Sequence, residues 1–281
     1  MNLVELAQGV FAWIDPVPGY GHTNVGLVID QDGLTVMDTT ATPAAGAAVR
    51  GAILDLTGEL GLPIKRVTVS SSRVAFSGGT SSFWPAAYYG TETTSDELDL
   101  AADPTPFRLL LPDLADAYDD EFSTREITHV VDEPAWLSAA ARAVPLPGEA
   151  GENLVVGVPT AGVVYAGALA SFGVTPLCHA GDPRAWLGSI RALAELGSTV
   201  IPGHGPPGGE PDLAELAGYL AACCDAAGDP LAIPPGPWDA WTDRRFDLVN
   251  VERADRLARG DARTPTAMFR LLGFEPPPEL G

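Results

Sequence analysis

The sequence predicts a layered α/β fold, because segments with strand character alternate with segments of helical periodicity along most of the chain. Hydrophobic residues make up 46% of the 281 residues and charged residues only 19%, which is enough for a substantial core. At this length, folding removes roughly 70–75% of the surface of the unfolded chain from water. We therefore expect one large domain, or two small ones, in which helices cover strands.

The first predicted strands follow one another closely near the N-terminus. Gly9 to Ile14 is rich in β-branched and aromatic residues, and Asn24 to Ile29 is a second segment of the same kind. Gln31-Asp32-Gly33 is typical of a tight hairpin turn, since its Asp-Gly pair accepts positive φ at little steric cost. The strand from Leu34 to Met37 then places Asp38 at its carboxyl end.

A helix, a strand and a second helix are predicted next. Apolar side chains recur at helical spacing from Thr42 to Leu60, where Thr42 is the cap and Pro43 lies in the first turn. Ile64 to Ser70 has the composition of a strand, and Ser77-Gly78-Gly79 is predicted to open another helix. That helix would carry three aromatic side chains more typical of a core than of a pocket: Trp84, Tyr88 and Tyr89.

Residues 92–122 differ in composition from the segments before them. They are rich in aspartate and proline, with an apolar island from Phe107 to Leu111. We interpret this segment as a lid or insertion over the mouth of a site. Beyond it, strands are predicted at 126–131, 141–146, 154–158, 163–166 and 199–201, and helices at 183–196, at 213–227 and after 239.

Charge and cysteine content limit the expected partners and location. The formal net charge of −21 repels phosphate backbones and anionic lipid, so neither nucleic acid nor membrane partners are expected. The N-terminus lacks a secretory signal pattern, and no apolar run is long enough to span a bilayer. Cys178, Cys223 and Cys224 do not form a spaced disulfide framework. We expect a cytoplasmic protein with an unknown small molecule or protein as its partner, and a homodimer stays an open alternative.

Several segments, in this order, resemble motifs of one known family. Asn24 to Thr39 looks like an opening hairpin that ends in Val-Asp-Thr, and Ser77-Gly78-Gly79 looks like the helix entry after a first metal motif. Glu149 to Val156 and then Val163 to Gly167 are similar to two consecutive strands of the same family. The final motif is matched almost letter for letter by Val200 to Gly205.

Together these segments resemble the metallo-β-lactamase superfamily, over a stretch from about Val10 to Gly209. The resemblance implies a four-layer αββα sandwich of the α/β (α+β) class. It also implies a domain at 1–230, with 92–122 as its lid or insertion, and a C-terminal helical extension at 231–281 packed on the same domain. In that superfamily two metal ions, usually zinc, acidify a bound water and polarise the scissile bond.

Carried onto this chain, the ligand positions of the superfamily hold other residue types. The early histidines of the first motif correspond to Ser71 and Arg73, its aspartate to Ala75, its last histidine to Phe76, the middle histidine to Glu149 and the bridging aspartate to Ala168. Of the ligand positions of the resemblance, only His204 keeps its identity.

These replacements remove most lone-pair donors from the expected metal site. Alanine and phenylalanine offer none, and Arg73 is a permanent cation that repels a metal. No histidine, aspartate or glutamate lies from Gly61 to Gly90, so a shifted alignment would not restore the motif. We expect no metal site and no cofactor. The alternative is a single zinc or iron ion held by His204 and His179, with Glu149 as a further ligand.

We expect Arg73 and Glu149 to meet in the vacated cavity beside His204, because a buried guanidinium needs a counter-ion. Arg73 could instead reach solvent along its aliphatic stem. If Glu149 points elsewhere, Arg73 becomes a receptor for an anionic ligand. The candidate ligand-binding residues are Arg73, Ser71, Glu149, His204 and His22. The catalytic candidates, none with an assigned role, are His204, Glu149, His179 and Cys178, whose thiol beside an imidazole could act as a nucleophile.

Three functions are consistent with these residues. The first is a non-hydrolytic pseudoenzyme of this fold that acts by ligand binding or assembly, since the site and not the fold carries the chemistry. The second is a hydrolase-like enzyme with a rebuilt mono-metal or metal-free site around His204, Glu149 and His179. The third is a subunit whose segment 92–122 docks on an active partner.

Overall fold

Two mixed β-sheets form the centre of the computed structural model, which describes residues 3–99 and 103–278. The seven strands of the first sheet lie in chain order: β1 (Leu3–Ala7), β2 (Val10–Trp13), β3 (Val25–Asp30), β4 (Gly33–Met37), β5 (Ile64–Thr68), β6 (Ala87–Gly90) and β7 (His129–Val130). Pairing is antiparallel from β1 to β4 and parallel from β4 to β7.

The second sheet has five strands: β8 (Ala135–Trp136), β9 (Arg142–Gly148), β10 (Gly151–Val158), β11 (Val163–Ser171) and β12 (Thr199–His204). Their spatial order is β12-β11-β10-β9-β8, and the pair of β11 and β12 is the parallel one. The helices are α1 (Pro43–Thr57), α2 (Val74–Ser77), α3 (Glu92–Leu98), α4 (Thr105–Leu110), α5 (Pro183–Leu196), α6 (Glu210–Asp225), α7 (Asp247–Ala258) and α8 (Thr266–Leu271).

Strand β2 shows why the two sheets face each other. Successive side chains of a strand point to opposite faces. Val10 and Ala12 join a cluster shared by both sheets, which includes Tyr165 of β11. Phe11 and Trp13 join the cluster on the other face of the first sheet. Both faces of β2 are therefore buried, as in the middle layers of a four-layer fold.

Helices cover the outer face of each sheet. Val49 and Ile53 of α1 pack in the same cluster as Val36 and Val67 of the first sheet. On the second sheet, α5 and α6 form the other layer, and the Trp186 indole donates a hydrogen bond to the Leu169 carbonyl at 3.0 Å. The predicted α/β sandwich with αββα layers is thus confirmed.

Local capping explains where two of the predicted helices, α1 and α5, begin. Thr42 accepts a hydrogen bond from Ala45 N at 3.2 Å and Pro43 is the first helical residue, as the sequence predicts. Asp182 caps α5 in the same way, through Arg184 N at 2.8 Å.

The interpretation of Ser77-Gly78-Gly79 as a helix entry is wrong. Helix α2 ends at Ser77, and a short 3₁₀ turn, Thr80–Phe83, follows the two glycines. A Cβ on Gly78 would lie 2.0 Å from the Ala41 carbonyl oxygen, so the glycines allow a close backbone approach instead.

The aromatic residues assigned to that helix lie elsewhere. Tyr88 and Tyr89 belong to β6, where Tyr89 pairs with Thr68, and Trp84 follows the 3₁₀ turn with an exposed side chain. The strand predicted at 126–131 is also shorter, since only His129–Val130 pairs with β6. Parallel pairing with a distant strand decides these elements, and local composition does not reveal it.

Residues 92–99 and 103–122 fold onto their own chain. They contain α3, α4 and a 3₁₀ turn at Pro112–Ala117. Leu110, Leu111 and Tyr118 are buried in one cluster with Val74 of α2, and the Tyr118 hydroxyl donates a hydrogen bond to the Ala41 carbonyl at 3.0 Å. Leu110 and Leu111 of the apolar island are therefore buried inside the molecule, whereas Leu109 is exposed.

Helix α7 packs against the helices of the second sheet and holds the loop before α5. Helix α7 contacts both α5 and α6. The Asn250 amide accepts a hydrogen bond from Cys178 N at 2.8 Å and donates one to Pro176 O at 2.7 Å, while Arg253 donates to the Ala180 and Gly181 carbonyls, each at 2.7 Å. Among the helices in the described ranges, none is both long and apolar enough to cross a membrane.

Asn250→Leu should lower the free energy of unfolding by about 2–4 kcal/mol, because it leaves buried backbone groups of Cys178 and Pro176 without their partner. Urea denaturation measures the change. Leu248→Ala in the same helix, at a side chain 46% exposed, serves as the control and should cost far less. Equal losses in the two variants would contradict the role given to Asn250.

Candidate functional site

Asp38 and Ser70 join the two sheets at the carboxyl ends of β4 and β5. Asp38 accepts hydrogen bonds from Ser70 N at 2.8 Å and from Ser70 Oγ at 2.9 Å, and Ser70 Oγ in turn accepts one from Ala168 N at 3.1 Å. Burial raises the pKa of Asp38 to about 7, against the effect of these hydrogen bonds. Asp38 also has a φ of 61°, an unfavourable value for this residue that the surrounding bonds maintain.

Arg73 and Glu149 form a buried ion pair just beyond this junction. Arg73 Nε lies 3.5 Å from Glu149 Oε1, and the side chains are 18% and 3% exposed. The other carboxylate oxygen accepts a hydrogen bond from Ser71 Oγ at 2.9 Å. Arg73 Nη1 also lies 3.7 Å from Glu97 Oε2, and Glu97 accepts a hydrogen bond from Ser72. The expected meeting of Arg73 and Glu149 is therefore observed, and Arg73 does not extend into open solvent.

This ion pair is incompletely hydrogen-bonded. Within residues 3–99 and 103–278, Arg73 Nε, Arg73 Nη2 and Glu149 Oε1 are buried and have no hydrogen-bond partner. Burial raises the pKa of Glu149 to about 7, which outweighs the opposing effects of Arg73 and Ser71. Burial disfavours the charged guanidinium as well, but Glu149 and Glu97 more than offset it, so the pKa of Arg73 is raised. The cluster therefore keeps its cation, while the protonation of Glu149 depends on pH.

A cavity of about 440 Å³ opens against Arg73, and we call it the Arg73 cavity. Its polar lining comes from Tyr20, Ser72, Arg73, Glu97, His179 and Thr264. Its apolar lining comes from Val74, Pro106, Phe107, Leu110, Met268, Phe269, Leu272 and Phe274. Residues of segment 92–122 and of the C-terminal helix α8 thus contribute most of the apolar wall.

His179 lies at the Arg73 cavity, whereas its neighbour Cys178 does not. Burial, with further effects from Arg73 and Arg253, lowers the pKa of His179 well below its ordinary value, so the imidazole is neutral. Cys178 is 0% exposed, and burial raises the pKa of its thiol well above its ordinary value. Such a thiol is protonated and inaccessible, which does not suit a nucleophile.

His204 packs between two aromatic rings instead of lining the cavity. The ring centroids of Tyr20 and Phe76 lie 5.2 Å and 5.1 Å from its own. His204 Nδ1 lies 2.9 Å from the His22 carbonyl oxygen, which assigns the proton to Nδ1 and leaves Nε2 as a lone-pair donor. Burial lowers the pKa of His204 to about 4, so it is neutral at pH 7.

His22 lies apart from this group of residues. Its Nδ1 is 3.2 Å from Asp15 Oδ2, and its side chain lines two other clefts beside Leu114. The structure thus brings together Arg73, Ser71, Glu149 and His179 of the candidate residues. It places His204 next to them and His22 outside.

Three residues at the site were not among the sequence candidates. Tyr20 lines the cavity and contacts His204, Glu97 approaches Arg73, and Ser70 bonds Asp38. Tyr20 follows a glycine in a loop and Glu97 lies in an acidic segment, so neither has a distinguishing local pattern. Ser70 directly precedes the candidate residue Ser71, and this adjacency is the signal in the sequence that could have pointed to Ser70.

The donor set does not fit the metal centre that the resemblance implies. In the part of the chain that the structure describes, no three side chains of histidine, cysteine, aspartate or glutamate are grouped so that they could hold a metal ion. Phe76 and Ala168 supply only carbon at their positions, and Arg73 brings a positive charge to the same region. The Glu149 carboxylate accepts a hydrogen bond from Ser71 and pairs with Arg73, so both of its oxygens are already engaged within the protein.

No family model and no curated protein sequence matches the chain. Solved structures are similar to it. The metallo-β-lactamase FIM-1 from Pseudomonas aeruginosa, in its mono-zinc form, has a TM-score of 0.58 at 17% identity over 83% of this chain and 98% of its own. A metallo-β-lactamase from Hirschia baltica has a TM-score of 0.58 at 19% identity, covering 78% of this chain and 96% of its own.

The inverting sec-alkylsulfatase Pisa1 from Pseudomonas sp. has a TM-score of 0.69 at 15% identity over 91% of this chain. This chain spans 50% of the length of that alkylsulfatase. At these identities the similarity establishes the fold and does not establish an activity.

The buried carboxyl of Glu149 should make stability depend on pH. Its pKa is raised from 4.5 to about 7, so the folded protein keeps a proton that the unfolded chain has released between these values. The free energy of unfolding should therefore fall as pH rises from 5 to 7, by about 1–3 kcal/mol relative to Glu149→Gln. Urea denaturation of both proteins across this range measures the difference. Parallel curves would contradict a raised pKa.

Proposed function

We propose that this chain, which has the metallo-β-lactamase fold, is a binding protein that holds a small molecule in the Arg73 cavity and does not perform dimetal hydrolysis. The observation that carries the proposal is the buried Arg73–Glu149 pair. A protein cation with its own counter-ion lies among the positions that correspond to metal ligands. A guanidinium at this position repels a divalent cation and has no lone pair to offer it.

The cavity itself supports a binding role. Its volume of about 440 Å³ lies within the range of small-molecule sites, and it combines mainly apolar walls with a few polar groups. Two of the structurally similar proteins, a mono-zinc metallo-β-lactamase and an inverting sec-alkylsulfatase, are enzymes. Their chemistry depends on side chains and not on the shared fold, so it is not carried over to this chain.

An enzyme with a rebuilt site is the second candidate function, and one observation favours it. Within the described ranges, His204 Nε2 and His179 Nδ1 are buried without hydrogen-bond partners. Lowered pKa values keep both imidazoles neutral, which is the form that binds a metal. In this candidate, His204, His179 and Glu149 would have to move closer together to hold a single zinc or iron ion, since no three such side chains are grouped for a metal among the described residues, or they would act without a metal.

Metal analysis of the purified full chain separates the two candidates. We expect no stoichiometric zinc or iron after dialysis, because two imidazoles and a carboxylate already engaged by Arg73 make a poor site. His204→Ala should therefore leave the metal content unchanged. His129→Ala, which changes an exposed histidine on β7, is the matched control. About one equivalent of metal that is lost in His204→Ala and kept in His129→Ala would favour the rebuilt enzyme.

Activity assays provide the complementary measurement. The chain should not turn over a lactam, a thioester or a phosphodiester in a manner that a chelator abolishes. Rapid chelator-sensitive turnover of any of these would refute the proposed function directly.

A further inference from the structure

The walls of the Arg73 cavity point to a ligand that is largely apolar. Phe107 and Leu110 contribute from one side, and Met268 and Leu272 contribute from α8 and the residue after it. A molecule bound there replaces its contacts with water by contacts with apolar side chains along most of its length. This favours a ligand with an alkyl or similar chain.

The polar end of the cavity offers hydrogen-bond donors that are not used within the protein. In residues 3–99 and 103–278, Tyr20 Oη and Arg73 Nη2 are buried and lack a hydrogen-bond partner. Both residues line the cavity, and Tyr20 lies close enough to Arg73 and Glu149 for their charges to act on its phenol. Burial raises the pKa of Tyr20 well above its ordinary value, so its hydroxyl stays protonated and able to donate. Unused buried donors are unfavourable, and an acceptor on a ligand would satisfy them.

The charges around these donors disfavour an anionic ligand. Glu149 lies 3.5 Å and Glu97 3.7 Å from the guanidinium, so the two carboxylates offset the positive charge of Arg73. The expectation that Arg73 is a receptor for anions required Glu149 to point elsewhere, and that condition is not met. A cationic ammonium head has no lone pair with which to accept hydrogen bonds from Tyr20 Oη or Arg73 Nη2. An uncharged acceptor uses these donors and avoids repulsion by the two carboxylates.

We propose that the Arg73 cavity selects an uncharged carbonyl compound with an apolar chain, whose oxygen accepts hydrogen bonds from Tyr20 Oη and Arg73 Nη2. This inference rests on the proposed binding function and specifies its ligand class. The chain of the ligand lies along the apolar wall formed by segment 92–122 and α8. Binding involves no covalent step and no metal.

Three probes that share a heptyl chain test the proposal on the full chain of 281 residues at pH 8, by calorimetric titration. The methyl ketone nonan-2-one and octanoate differ only by a methyl group in place of a charged oxygen, and octylamine carries the opposite charge. Nonan-2-one should bind at least about tenfold more tightly than octanoate, because like charges at close range are repelled. It should also bind more tightly than octylamine.

Tyr20→Phe removes only a hydroxyl that has no partner in the described structure, so this variant should fold normally. It should weaken the binding of nonan-2-one by roughly three- to tenfold, the usual net worth of one hydrogen bond. Tyr89→Phe changes a tyrosine on β6, away from the cavity, and should leave the affinity unchanged.

Tighter binding of octanoate or octylamine than of the ketone would refute the uncharged ligand class and leave the binding function intact. Equal affinity of the ketone for Tyr20→Phe and the original protein would refute the role of the hydroxyl. The absence of binding by all three probes would refute this inference. The metal analysis described above would still decide the proposed function separately, since its outcome does not depend on the ligand.

Discussion

A buried guanidinium needs a counter-ion, and this constraint organises the site. Moving either Arg73 or Glu149 into a low-dielectric interior alone would cost several kcal/mol, so each side chain requires the other. Their contact at 3.5 Å links the loop after β5 to the hairpin between β9 and β10, that is, one sheet to the other. The pair therefore joins the two sheets beside the cavity, and it also brings a positive charge to positions that the resemblance assigns to metal ligands.

The hydrogen bonds between Asp38 and Ser70 also support this ion pair. Asp38 holds Ser70, and Ser70 also bonds Ala168 of the second sheet, so the loop that carries Ser71 and Arg73 starts from a fixed position. The C-terminal helices constrain the opposite side, because Asn250 and Arg253 bind the backbone of the loop that carries His179. These hydrogen bonds hold both sides of the Arg73 cavity in place, which suits a binding site because little order must be gained when a ligand enters.

The charges of the site, and not the shape of the fold, distinguish the proposed binding function from a metal-dependent one. The imidazoles of His179 and His204 are neutral because they are buried, whereas Glu149 is poised near neutral pH. A neutral imidazole is compatible with a metal, but the Glu149 carboxylate that would join it is already engaged by Arg73 and Ser71. The balance of Arg73 against Glu149 and Glu97 also explains why an uncharged ligand is the better match to the cavity.

The sequence by itself determined the layered fold, the helices at α1 and α5, and the loss of ligand types at Ser71, Arg73, Phe76 and Ala168, because periodicity, caps and residue identity are local properties. The meeting of Arg73 with Glu149 followed from charge and from the resemblance together. Tertiary structure alone decided the rest. Parallel pairing drew Tyr88 and Tyr89 into β6, and segment 92–122 buried Leu110 and Tyr118 against its own domain. Tyr20 and Glu97 reached the cavity through contacts between residues far apart in the chain, and no local pattern encodes such contacts.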